Sequence, residues 1–158
     1  MRTISILQDS LYTRGKFDYH PREEKVEDLR RKNITVVVNL TTRADPDLVD
    51  VDGLEYVHYS MSDGQEVDVE TVWVLAKKLA ERIRQGRKVL VHCNAGRNRA
   101  ALVAAATVAL VEDISGAEAV DLVQRRRKGA FGTNPNFEEY MREDFDDDRE
   151  LERTVRVG

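Results

Sequence analysis

Residues 89–102 read VLVHCNAGRNRAAL, and the fold is decided there. The apolar run Val89-Leu90-Val91 leads into His92-Cys93. Asn94, Ala95, Gly96, Arg97 and Asn98 follow, then Arg99 and an alanine-rich run. A short apolar β-type run, a Gly-containing loop and a helix start make a strand–loop–helix unit. Such a loop aims backbone N–H groups and the positive helix end at one point, which is a site for an anion. A thiol at that point would be held as thiolate, because each dipole favours negative charge. An arginine closing the loop adds a planar, two-pronged donor that matches phosphate oxygens. The constellation points to phosphoryl transfer through a covalent phosphocysteine. The plain alternative is a buried strand-end cysteine and a surface arginine, since cysteine is among the most buried residue types. The strand before, the glycine inside and the helix after favour the chemical reading.

His92-Cys93-x-x-Gly96-x-x-Arg99 resembles the signature loop of the cysteine-dependent protein tyrosine phosphatases, and its surroundings resemble their compact dual-specificity branch. Leu11-Tyr12 is similar to that branch's first strand, and Asn33-Ile34-Thr35-Val36-Val37-Val38-Asn39-Leu40 to a central one. Gly129-Ala130-Phe131 through Asn134-Pro135-Asn136-Phe137 resembles the segment entering its last helix. The resemblance covers residues 4–141. It implies that Cys93 is the nucleophile, that Arg99 and the loop residues Asn94, Ala95, Gly96, Arg97 and Asn98 bind phosphate, and that His92 braces the loop. One departure stands out: the family usually has Ser or Thr directly after the loop arginine, and this chain has Ala100.

The chain has 158 residues, enough for one domain with a real core. It is 41% hydrophobic and 34% charged, an ordinary profile for a soluble domain. A formal net charge of −4 gives no global basic field to recruit nucleic acid or anionic membrane. A single cysteine excludes an intrachain disulfide and suits a reducing compartment. The start lacks the apolar core of a signal peptide and no run is long enough to span a bilayer, so a cytoplasmic protein is expected.

In chain order, residues 1–13 suggest a small β-hairpin, and 14–16 a turn. Residues 21–32 begin with Pro and acids and end with bases, the polarity of a helix that complements its dipole. Residues 34–40 form a β-branched run suited to a central strand buried on two sides. Residues 41–52 read as a loop and 54–59 as another strand. Residues 69–85 carry a helical apolar stripe at Val69, Val72, Trp73, Ala76, Leu79, Ala80 and Ile83. Ser115 with Glu118 makes a capping box for a helix running to Lys128. Asn134-Pro135 starts the last helix. Alternating strands and helices imply an α/β fold, a mostly parallel sheet covered on both faces. The phosphatase domain is expected over 1–141, with 142–158 a charged tail or edge element.

Breaking a phosphate ester needs a proton on the leaving oxygen. Asp63 lies in the loop after the strand ending at Tyr59, which in a parallel sheet opens on the same edge as the signature loop. The family acid sits on the corresponding loop, about thirty residues before the cysteine, and Asp63 fits best, with Glu66 and Asp68 as rivals. His20 and His58 have no partner pattern for a metal, and no metal or other cofactor is implied. Arg125-Arg126-Arg127-Lys128 suits a helix C-terminus and reads as a solvated end first, an anionic-substrate patch second. Arg97 is expected to be exposed, and Trp73 to lie in the core.

The sequence therefore reads as a phosphatase acting on phosphotyrosine proteins, with phosphoserine and phosphothreonine as further substrates. Asn98 before Arg99 also resembles RNA 5′-triphosphatases of the same fold. A different class, a phosphate-recognition module without turnover, is raised by Ala100.

Overall fold

The computed structural model describes residues 3–17 and 20–157, with side chains through residue 154. Five strands form one sheet: β1 (Ile4–Leu7), β2 (Leu11–Arg14), β3 (Ile34–Asn39), β4 (Glu55–His58) and β5 (Lys88–His92), in the order β1-β2-β5-β3-β4. Only β1 and β2 run antiparallel, as the expected hairpin; the other neighbours are parallel. β5 and β3 are central, as their β-branched runs require. Their side chains alternate between two cores: Val36, Val38, Val89 and Val91 face one, Val37 and Leu90 the other.

α1 (Arg22–Arg31) covers the second face with Val26 and Leu29. Its acids come early and its bases late, as the dipole prefers. The larger core lies beneath α2 (Val69–Arg84), α3 (Arg99–Glu112) and α4 (Gly116–Arg126). Residues 100–109 of α3 are all buried, so this helix is covered on every side, with Thr107 bonded back to the Val103 carbonyl, and its alanines let neighbours approach closely. The capping box at Ser115 and Glu118 forms as the sequence indicates. α4 ends at Arg126, two residues short of the expected stop.

The expectation of a charged tail or edge element over 142–158 is corrected by the packing. α5 (Pro135–Glu139) leads through a π-helical turn, Tyr140–Asp144, into α6 (Phe145–Val157). Phe145 is fully buried and stacks on Trp73 with ring centroids 4.7 Å apart. Trp73 Nε1 donates to the Tyr140 hydroxyl, which donates to Asp148. Asp146 accepts from the Gly116 N–H and so caps α4 across space. One aromatic among acids was the only local sign of this anchor.

Register places the functional edge. Arg14, His92, Asn39 and His58 are paired in a row across four strands and close each of them. The loops after β2, β5, β3 and β4 therefore open side by side at the carboxyl ends of the parallel strands, where α/β sheets bind ligands. No helix among the described residues is long and apolar enough to cross a membrane.

Candidate active site

Cys93 follows β5 directly and is buried. The loop it starts curls back, so that the Gly96 N–H donates to Cys93 Sγ at 3.2 Å. For N–H groups to face the inside of such a loop, its carbonyls must face out, and three are held there. The Asn94 carbonyl accepts from Lys16 N–H, the Ala95 carbonyl from Arg127 Nη2, and the Arg97 carbonyl from Phe131 N–H. The Cys93 N–H is itself spent on the Arg14 carbonyl. Asn94, Ala95 and Arg97 are exposed at the mouth, as expected for Arg97.

Arg99, the first residue of α3, is buried beneath this loop. Its Nη1 donates to the carbonyls of Met61 at 3.1 Å and Leu40 at 3.4 Å, the backbone just beyond β4 and β3. Those two contacts fix one edge of the guanidinium, while Nε makes no hydrogen bond to the protein. A buried guanidinium with an unused N–H is equipped to receive an oxyanion. Asn98 stands at the N-cap of α3 but does not cap it. Its amide donates instead to Asp63 Oδ2 at 3.1 Å and to the Thr133 hydroxyl. The first-turn N–H groups of α3 are thus not consumed by a cap, and the residue that suggested an RNA 5′-triphosphatase is turned toward the acid loop.

Asp63 reaches this place from the loop after β4. Asn98 holds one carboxylate oxygen, and Asn134 Nδ2 donates to the other at 2.9 Å. The rival Asp68 is used elsewhere: it caps α2 through Thr71. Glu66 is exposed. Hence of the three carboxylates considered, Asp63 is the one tied to the loop.

His92 is buried, with its ring edge-on to Phe17 at 5.7 Å. Arg14 lies over the same Phe17 ring at 3.7 Å and 3.6 Å from Asp28, and burial pushes its guanidinium below the ordinary arginine range. Ala100 is fully buried in the first turn of α3. His20 pairs with Glu24 and His58 with the Thr41 carbonyl. No cluster of three metal-ligating side chains occurs among the described residues.

Two residues reach the loop in contacts that the sequence did not indicate. Arg127 belongs to a run read first as a solvated helix end and second as an anionic-substrate patch; its Nη2 donates to the Ala95 carbonyl. Asn134 was read only as the start of the last helix, where it stands as N-cap. A basic residue and an amide give no signal of their own; only the return of the chain past α4 brings them to the loop.

Residues 19–146 match the family model for the dual specificity phosphatase catalytic domain. Over 122 residues the chain is 30% identical to cyclin-dependent kinase inhibitor 3 of Rattus norvegicus, a match that covers 70% of this chain and 58% of that protein. The Mus musculus protein of that name is 29% identical over 121 residues, and 57% of it is covered. The chain thus spans under three fifths of the length of these relatives. The crystal structure of human DUSP28 superposes with a TM-score of 0.75 at 20% identity, covering 94% of this chain and 95% of that one. Tk-PTP in its active form gives a TM-score of 0.64 at 27% identity, covering 81% and 86%. A strand-to-helix loop with an N–H on the cysteine sulfur, an arginine beneath it and a family match over most of the length lead to one conclusion: the chain belongs to the dual specificity phosphatase catalytic-domain family, within the cysteine-dependent protein tyrosine phosphatase superfamily.

Proposed function

We propose that this protein hydrolyses phosphate monoesters through a phosphocysteine intermediate, with phosphotyrosine proteins as substrates and phosphoserine and phosphothreonine proteins as further ones. The observation that carries this reading is the Gly96 N–H on Cys93 Sγ at 3.2 Å, in a loop whose carbonyls are held outward on three sides. Cys93 Sγ attacks phosphorus while the ester oxygen departs. The loop N–H groups and Arg99 hold the non-bridging oxygens, whose charge grows at the transition state. Asp63 gives its proton to the leaving oxygen. In the second step Asp63, now a carboxylate, takes a proton from water. The water oxygen bonds to phosphorus, the P–S bond breaks, and inorganic phosphate and the Cys93 thiolate are released.

Acid quench during turnover of an activated aryl phosphate tests the reading. One phosphoryl group is expected on the peptide containing Cys93. Turnover with no such adduct, together with full activity after Cys93→Ser, overturns it.

A further inference from the structure

We infer that Asn134 is a positioning residue for Asp63: it holds the carboxyl group over the phosphate loop, and this hold is required for proton delivery to the leaving group. The inference rests on Asp63 being the general acid.

Asp63 is exposed, in a loop with Ser62, Gly64, Gln65 and Glu66, all exposed as well. An exposed loop of this kind samples many positions, and a carboxyl group 1 Å out of place transfers protons poorly. The anchor comes from outside the loop. Asn134 is 5% exposed, and its Nδ2 donates to Asp63 Oδ1 and to the Gly64 carbonyl, each at 2.9 Å. An amide nitrogen has two hydrogens, so one fixes the acid's side chain and the other the backbone beside it. The donor is itself held. Asn134 N–H donates to the Phe131 carbonyl, Pro135 fixes the next backbone angle, and Phe131 N–H donates to the Arg97 carbonyl of the phosphate loop. A chain of hydrogen bonds thus runs from the phosphate loop through residues 131–134 to the acid. Asn98 closes the circuit on the other carboxylate oxygen. The acid loop is in this way fastened at its working position before substrate arrives.

Four proteins separate the possibilities: wild type, Asp63→Asn, Asn134→Ala and the double variant. Each is assayed on a phosphotyrosine peptide and on 2,4-dinitrophenyl phosphate, whose leaving group departs without a proton. Asn134→Ala should lower kcat/KM on the peptide roughly tenfold, the upper end expected for one lost hydrogen bond. On the dinitrophenyl ester the loss should stay under about threefold, because no acid is needed there. In the Asp63→Asn background Asn134→Ala should cost nothing further on the peptide, since the group it positions is gone. Iodoacetate should alkylate Cys93 at the wild-type rate, which reports an intact phosphate loop. Asn134→Asp keeps the shape, suits the helix N-cap and removes the donor, so it covers the case in which the alanine variant fails to fold. Its loss should be larger than that of alanine and confined in the same way to the peptide. Equal losses on both esters, or losses that add to those of Asp63→Asn, overturn the inference while leaving Asp63 as the acid. Equal losses for Asp63→Asn itself remove the acid and the inference together.

Discussion

Gly96 lies against the backbone of Arg14 so closely that a Cβ at position 96 would stand 2.7 Å from the Arg14 carbonyl carbon and 2.9 Å from its oxygen. Its φ of +71° is also one that side-chain-bearing residues rarely adopt. The same residue supplies the N–H on the cysteine sulfur. Strand packing and sulfur chemistry therefore meet at one glycine. Gly96→Ala should move the loop off β2. The strain alone is worth ~1–3 kcal/mol, and the loss of a preset oxyanion donor costs about 10²-fold in rate. Activity on any aryl phosphate should fall at least tenfold, and iodoacetate labelling of Cys93 should slow. A variant with unchanged kcat/KM and labelling would show that the loop tolerates a shift at this point.

Cys93→Ser should abolish hydrolysis and leave phosphate-ester binding in place, because a hydroxyl is hardly ionised at neutral pH. Binding is read by competition or calorimetry with a phosphotyrosine peptide. Wild-type activity should survive excess chelator and be lost to peroxide. Chelator sensitivity would point to a metal-dependent reaction instead.

Ala100 follows Arg99 and is fully buried, where the family usually has a hydroxyl. By that resemblance, a hydroxyl here would stabilise the thiolate as it leaves phosphorus in the second step. A hydrogen bond to a charged group is worth ~1.5–3 kcal/mol, and each ~1.4 kcal/mol is tenfold in rate. The wild type should show a burst of aryl alcohol, since breakdown of the intermediate limits turnover. Ala100→Ser should raise the steady-state rate and shrink the burst. If neither changes, another group already serves the sulfur.

Tyr140 joins α2 to the C-terminal helices, accepting from Trp73 and donating to Asp148 at 2.7 Å. Burial, then the hydrogen bond to Asp148, push its hydroxyl well above the ordinary tyrosine range, against a smaller opposing effect of Trp73. A raised folded-state pKa means stability that is complete below the unfolded value of 10.0 and is lost as pH rises beyond it. Tyr140→Phe should destabilise the fold by ~1–3 kcal/mol at neutral pH, because Trp73 Nε1 loses its acceptor in a buried place. It should also flatten the fall of stability above pH ~10. Chemical denaturation at pH 7 and at pH 10–11 checks both. Burial also raises the Tyr12 hydroxyl, so part of the alkaline fall should persist.

The strand–loop–helix around Cys93 was legible because its determinants are adjacent in the chain. A β-branched run, one glycine and an alanine-rich run dictate strand, loop and helix locally. The capping box at Ser115 and the stripe that buries Trp73 are legible for the same reason. The placing of the Asp63 loop on the edge where β5 ends was legible too, since parallel strands close on the same side. What the chain could not display is who holds it. Asn134 lies 71 residues from Asp63, and Tyr140 lies 67 from Trp73. Such partners carry no periodicity and no local preference.

The sequence by itself determined the α/β class and the strand–loop–helix course of residues 88–99, with a sulfur at one end of its loop and a guanidinium at the other. Tertiary structure decided three other things. It turned the C-terminal residues from a charged stretch into a helix anchored by Phe145. It withdrew Asp68 to cap a helix, leaving Asp63 at the loop. It also recruited Asn134 and Arg127 from the far side of α4. The reason is physical: local structure follows from backbone preferences of neighbours, whereas a buried polar group takes whichever partner the folded chain delivers within hydrogen-bonding distance.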